Sequence, residues 1–292
     1  MVRTIGVSIA KIAGFLALWA ALTATATLGV VALGGRDFFF ITPYRVALEV
    51  LLTIAVLSAL IVMARFVDRR PLSTIGFTPK RLFDLLTGTI LGAAIFAAPL
   101  AVLVAMGAAR FEPDLGGFTA QALAIGLFVC FFNVVTQEAL VRSYIFQELW
   151  AKYGAWIATI VTTLIFLMLH AAPISRGTQG LVAGANILLA SLLLSLAYVR
   201  TGSLWLPIGI HLGWNGLQGP VLNINVTGND LAFGHWSVFS FLPQNALLTG
   251  GEMGVEGGLV GLIGPAAGLA IVALMFKQQP KPDFSRVDPA TK

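Results

Sequence analysis

Long apolar runs constrain this chain more than any other feature. A helix that crosses a bilayer needs about 20 mostly apolar residues. Eight stretches meet or approach that length: Ala10–Leu33, Val46–Val67, Leu82–Met106, Phe118 into the 140s, Ala155–Leu169, Leu181–Val199, Leu204–Leu217 and Gly258–Phe276. The fifth and seventh are short for full spans. Charged residues make up 11% of the 292 and apolar residues 58%, too few charges to coat a body dissolved in water. The reading is an all-α, polytopic membrane helical bundle of about eight transmembrane helices, with the lipid bilayer as its outer solvent. It forms a single unit over residues 1–277, followed by a disordered cytoplasmic tail at 278–292 that is rich in Pro and charge.

The single cysteine, Cys130, lies inside an apolar run, so no intramolecular disulfide or thiolate metal cluster is available. The net charge of +5 does not indicate a nucleic-acid partner, because the basic residues punctuate apolar runs and form no patch. Their distribution instead orients the bundle. With the N-terminus cytoplasmic, inside segments collect 14 basic residues, among them Arg65, Arg69, Arg70, Lys80, Arg81, Lys152, Arg200 and Lys277. Outside segments keep four: Arg36, Arg45, Arg110 and Arg176. The positive-inside rule then places both termini in the cytoplasm of a multi-pass cell-membrane protein. The first run also resembles a signal peptide, with Arg3, Lys11 and small residues near Thr23–Thr27, but it is longer than a typical signal core and is read as a retained span.

Ionisable and strongly polar groups inside a span cost a few kcal/mol or more unless paired or facing a cavity. Lys11, Glu49 and Asp84 sit near run ends, within reach of the interface. Gln137, Glu138 and Arg142 lie in the fourth run, His170 ends the fifth, and His211 and Asn215 lie in the seventh. The spacing i, i+4 puts Glu138 with Arg142, and His211 with Asn215, on common helix faces. Gln137 points about 100° away from Glu138. If the fourth and fifth helices turn at Gly154, Glu138 and His170 each lie 16 residues from it, at matching depths of about 24 Å. Each residue also has a plainer explanation. Glu138 and Arg142 can be a self-neutralised pair, and a lone His or Asn in a membrane helix often serves as an interhelical hydrogen bond. His235, in an outer loop, is assigned no role.

Taken in order, these residues resemble the three motifs of the CPBP intramembrane proteases, the family of type II CAAX prenyl endopeptidases and bacteriocin-processing proteins. The chain reads Gln137-Glu138-Ala-Leu-Val-Arg142, then Phe166-Leu-Met-Leu-His170, then His211-Leu-Gly-Trp-Asn215, within residues 118–217. The resemblance implies a polar cavity reached from the cytoplasm, where a glutamate and a histidine activate water and the third motif's His and Asn stabilise the oxyanion. It also implies a membrane-anchored or hydrophobic peptide or protein as substrate. No obligate cofactor is expected, although His170, His211 and Glu138 comprise a set that could hold zinc; the His-Glu-x-x-His spacing is absent.

The chain departs from the family pattern at Gln137, where the family has the first glutamate, and at Ser143, where it usually has Gly. A carboxamide cannot accept a proton from water. Three explanations stand at this stage: Glu138 is the base, the protein binds without cutting, or a catalytic Glu has deliberately been replaced by Gln.

Overall fold

A computed structural model describes residues 2–35, 42–231 and 233–277; the expected tail at 278–292 lies outside them. Helices α1 (Val2–Gly34), α2 (Thr42–Val62), α3 (Phe83–Ala105), α4 (Ala120–Ala139) and α8 (Gly177–Thr201) carry the long apolar runs. α2 continues through a wide π-type turn, Met63–Val67, and α4 continues through another, Leu140–Ile145, into α5 (Phe146–Tyr153). Five of these uninterrupted segments are long and apolar enough to cross a membrane. Shorter apolar helices α6 (Ala155–Leu169), α9 (Trp205–Gly216) and α11 (Ile263–Met275) complete the bundle. This is an all-α membrane-type protein. Short lengths α7 (Ala171–Ile174) and α10 (Ala246–Thr249) cap it. The turn expected at Gly154 is present: Gly154 has φ 89°, ends α5 and starts α6.

Cross-chain hydrogen bonds define two ends. At the first, Lys11 of α1 pairs with Asp68 after α2 at 2.6 Å, Lys152 of α5 donates to Ser8, and Arg200 of α8 donates to the carbonyl of Phe276 after α11. Arg81 pairs with Asp84 here at 2.8 Å. Arg65, Arg69, Arg70 and Lys80 lie on the same side, so we call this the basic end. At the far end Tyr44 of α2 donates to the carbonyl of Leu33, and Arg45 donates to that of Asp230.

The far end holds one element that the sequence reading left as loop. Strands β1 (Ala109–Gly117) and β2 (His235–Phe241) pair antiparallel, with Ala109 opposite Phe241 and Gly117 opposite His235. The pairing is irregular between Phe111 and Gly117, and β1 is exposed along most of its length. His235 takes its place in this sheet.

α9 is only 12 residues long, and its seat against α3 explains how so short a helix holds a fixed position. Gly88 and Gly92 of α3 face Gly209 and Gly213 of α9. A Cβ at Gly92 would lie 2.0 Å from the Ile210 carbonyl oxygen, and one at Gly213 would lie 2.1 Å from that of Thr89. Small residues four apart on both helices let the backbones touch, which is how helices associate where apolar burial gives no drive. Gly264 and Gly268 of α11 make further close contacts, against Trp214, Ile95 and Leu193.

Candidate active site

The first motif lies where α4 passes into its wide turn, a local widening often found at functional sites. Glu138 and Arg142 are fully buried. The Arg142 Nη1 group donates to both carboxylate oxygens at 2.9 and 3.0 Å, and Nη2 donates to Ser191 Oγ of α8 at 2.9 Å. His211 Nδ1 lies 2.9 Å from Glu138 Oε1. Phe166 stands at the centre of the group. The Arg142 guanidinium sits 4.8 Å from its ring, and the rings of His170 and His211 lie 4.7 and 6.1 Å away.

Hydrogen-bond chemistry assigns the ring nitrogens. A carbonyl oxygen only accepts, so His170 Nδ1–H donates to the Phe166 carbonyl at 2.8 Å. The neutral imidazole then keeps its lone pair on Nε2. Glu138, paired with Arg142, is likewise an acceptor for His211 Nδ1–H. Both histidines line a cavity of about 390 Å³, together with Asn215 one turn after His211, Gln137, Asn133, Asn186, Glu49 and Glu256. That volume falls in the range of small-molecule and peptide-segment pockets.

Gln137 and Glu138 are neighbours in sequence with opposite surroundings. Gln137 lines the cavity; its Nε2 donates to Asn133 Oδ1 at 2.7 Å, and its Oε1 has no hydrogen-bond partner among the described residues. Asn186 Nδ2, on the same cavity, is also buried and unpartnered. Glu138 does not line the cavity. Arg142 engages both of its oxygens and His211 one of them. The structure therefore brings Gln137, His170, His211 and Asn215 to one cavity and holds Glu138 and Arg142 behind its wall.

The set named above as able to hold zinc is His170, His211 and Glu138. Among the described residues no three His, Cys, Asp or Glu side chains gather as metal ligands, and Glu138, the carboxylate of that set, is committed to Arg142 and His211.

Sequence reasoning missed four cavity residues. Glu49 was read as reaching the interface; instead its Oε2 accepts from Asn133 Nδ2 at 3.3 Å. Asn133 lies one turn before Gln137, and that i, i+4 spacing was the available signal. Asn186 had only its polarity within α8 to mark it. Glu256 comes from the outer loop, accepts from Trp214 Nε1 at 2.9 Å and accepts from both the backbone N and Oγ1 of Thr227 at 2.6 Å. Burial pushes its carboxyl above the usual carboxylate range. No local pattern ties Glu256 to Trp214, 42 residues earlier.

The resemblance implied entry from the cytoplasm, which the charge rule assigns to the basic end. The cavity is lined in mid-bundle by Ile95 of α3, Asn133 and Gln137 of α4, Asn186 and Leu194 of α8 and Ile210 of α9, and toward the far end by Arg45 of α2, Pro173 of α7 and Asn229 of the outer loop.

Residues 119–217 match a family model described as "Rce1-like: Type II CAAX prenyl endopeptidase Rce1-like". The match supports the CPBP reading of the three motifs. This Rce1-like segment covers about a third of the chain, 99 of 292 residues counting 119 to 217, and contains all seven motif residues. No curated protein and no solved structure matches the chain.

Proposed function

We propose that the chain is an intramembrane endopeptidase that hydrolyses a peptide bond of a membrane-associated protein or peptide. The observation that carries this reading is the convergence of His170, His211 and Asn215 on one polar cavity, inside a segment similar to type II CAAX prenyl endopeptidases. In this mechanism Gln137 Oε1 accepts a hydrogen bond from the attacking water and orients it. The amide cannot take the proton, so that role falls to His170 Nε2, whose lone pair is set by the Nδ1–H bond to Phe166. The Asn215 amide, and His211 when Nε2 carries a proton, donate to the developing oxyanion. Glu138 fixes the ring of His211, and Arg142 balances the charge of Glu138. His170 returns its proton to the leaving amine.

The amide at 137 favours a second reading, in which the cavity binds such a peptide without cutting it. Incubation of the purified protein with a membrane-anchored or prenylated peptide separates the two. Hydrolysis that disappears in His170→Ala and His211→Ala supports the endopeptidase. Binding without product, even in Gln137→Glu, supports the scaffold and overturns the proposed activity.

A further inference from the structure

We infer that the cavity is entered from the non-cytoplasmic side, and that its substrate class is the non-cytoplasmic segment of a membrane-anchored polypeptide. The substrate clause rests on the endopeptidase reading; the direction of entry does not.

Three observations meet here. The first is charge. Apart from Arg142, buried beside the cavity, the Lys and Arg residues outside the basic-end segments are Arg36, Arg45, Arg110 and Arg176, and such a bias of basic residues marks the cytoplasmic side. The second is the placement of the cavity walls. Arg45 and Glu49 belong to the first two turns of α2, Pro173 to α7, and Thr227 and Asn229 to the outer loop. Each lies at the end opposite the basic one, and Asn229 is exposed.

The third observation is that the segment between α2 and α3 is tied across the basic end. Ser143 Oγ donates to the Ile75 carbonyl at 2.6 Å, and Gln147 Nε2 donates to the Thr74 carbonyl at 2.9 Å and to Tyr198 Oη at 2.7 Å. Arg70 Nη1 donates to Gln147 Oε1 at 2.8 Å, and the Gly76 carbonyl accepts from Leu204 N at 2.9 Å. Ile75, Arg70, Ser143, Gln147 and Leu204 are all buried. A polypeptide arriving from the cytoplasm would have to break this network, whereas none of it lies between the far end and the cavity.

The interior suits an extended peptide backbone. Gln137 Oε1 is an acceptor and Asn186 Nδ2 a donor, both buried and unpartnered among the described residues. A peptide's N–H and carbonyl supply the complement, and buried polar atoms left unmatched are costly enough to favour a ligand that pairs them.

Cysteine accessibility in the full-length chain tests the direction. Cys130 is buried, so Cys130→Ala gives a background into which single cysteines are placed: Asn229→Cys at the cavity rim, Leu247→Cys elsewhere at the far end, Ala190→Cys on the cavity wall and Lys80→Cys at the basic end. A membrane-impermeant maleimide should label Asn229→Cys and Leu247→Cys in intact cells as fully as in permeabilised ones. A small impermeant methanethiosulfonate should also reach Ala190→Cys from outside, while Lys80→Cys should react only after permeabilisation. Labelling of Lys80→Cys in intact cells, or of Ala190→Cys only after permeabilisation, overturns the inference. Leu247→Cys keeps the orientation readable if the rim variant misfolds. For the substrate clause, right-side-out vesicles should cleave an added membrane-anchored peptide that inside-out vesicles leave intact, and the reverse preference overturns it. Failure of both vesicle types to cleave, with the labelling pattern intact, removes the endopeptidase reading and with it the substrate clause, and leaves the direction of entry standing.

Discussion

At the basic end, Gln147 has every polar group of its amide engaged: Oε1 accepts from Arg70, and Nε2 donates to the Thr74 carbonyl and to Tyr198 Oη. Ten residues earlier on the same helical arm, Gln137 uses Nε2 on Asn133 and leaves Oε1 buried without a partner. The amides are chemically identical, so their surroundings make the difference. Around Gln147 the polar groups close a wall; around Gln137 they border open space. Satisfied buried polar groups stabilise and specify packing, and unsatisfied ones call for an explanation such as a ligand or ordered water.

The sharpest way to break this contrast is to attack the cavity side through His170. If the cavity is catalytic, His170→Ala should lower peptide hydrolysis by about 10²–10⁴-fold, the usual contribution of a general base, while its gel-filtration profile in detergent stays that of the parent. An unchanged rate would leave only a structural role for the second motif. Arg142→Ala comes next. Removing one partner of a buried ion pair costs about 3–5 kcal/mol, and thermal unfolding in detergent should register it as a large fall in the midpoint. Arg142→Ala combined with Glu138→Ala should recover part of that loss, because no buried charge is then left alone.

Gln137→Glu sharpens the comparison from the other direction. A carboxylate at this position can take the water's proton, so the rate should rise by about 10²-fold or more, with His170 still required. No change would mean that the water stands elsewhere in the cavity. The smallest expected effects compare the two glutamines directly. Gln147→Ala removes the hydrogen bonds to Arg70, Tyr198 and the Thr74 carbonyl and should cost about 1–3 kcal/mol. Gln137→Ala borders the cavity and should stay within about 0.5 kcal/mol, as substitutions away from packed networks do. Equal losses in paired chemical-denaturation curves would erase the distinction between wall and cavity.

Much of this was legible in advance, and the parts that were not share a cause. The turn at Gly154, the pairing of Glu138 with Arg142 and the common helix of His211 and Asn215 follow from hydropathy and a period of 3.6 residues, both local properties of the chain. Glu49 looked like an interfacial residue because nothing within α2 reveals that α4 presents Asn133 to it. The β1–β2 sheet escaped notice because its strands are separated by more than a hundred residues and pair irregularly. The contact of Glu138 with His211 and its place outside the cavity lining depend on how α4 and α9 seat together, which no local pattern shows.

The sequence by itself determined the medium, the approximate spans, the segregation of basic charge and the presence of three polar motifs on apolar helices. Composition and short-range spacing suffice for these. Tertiary structure decided which of two adjacent side chains, Gln137 or Glu138, meets the cavity, and which outer-loop carboxylate joins it. Those outcomes depend on the rotation and depth at which helices seat against one another. Close contacts such as Gly92 on Ile210 and Gly213 on Thr89 fix that seating between residues more than a hundred positions apart.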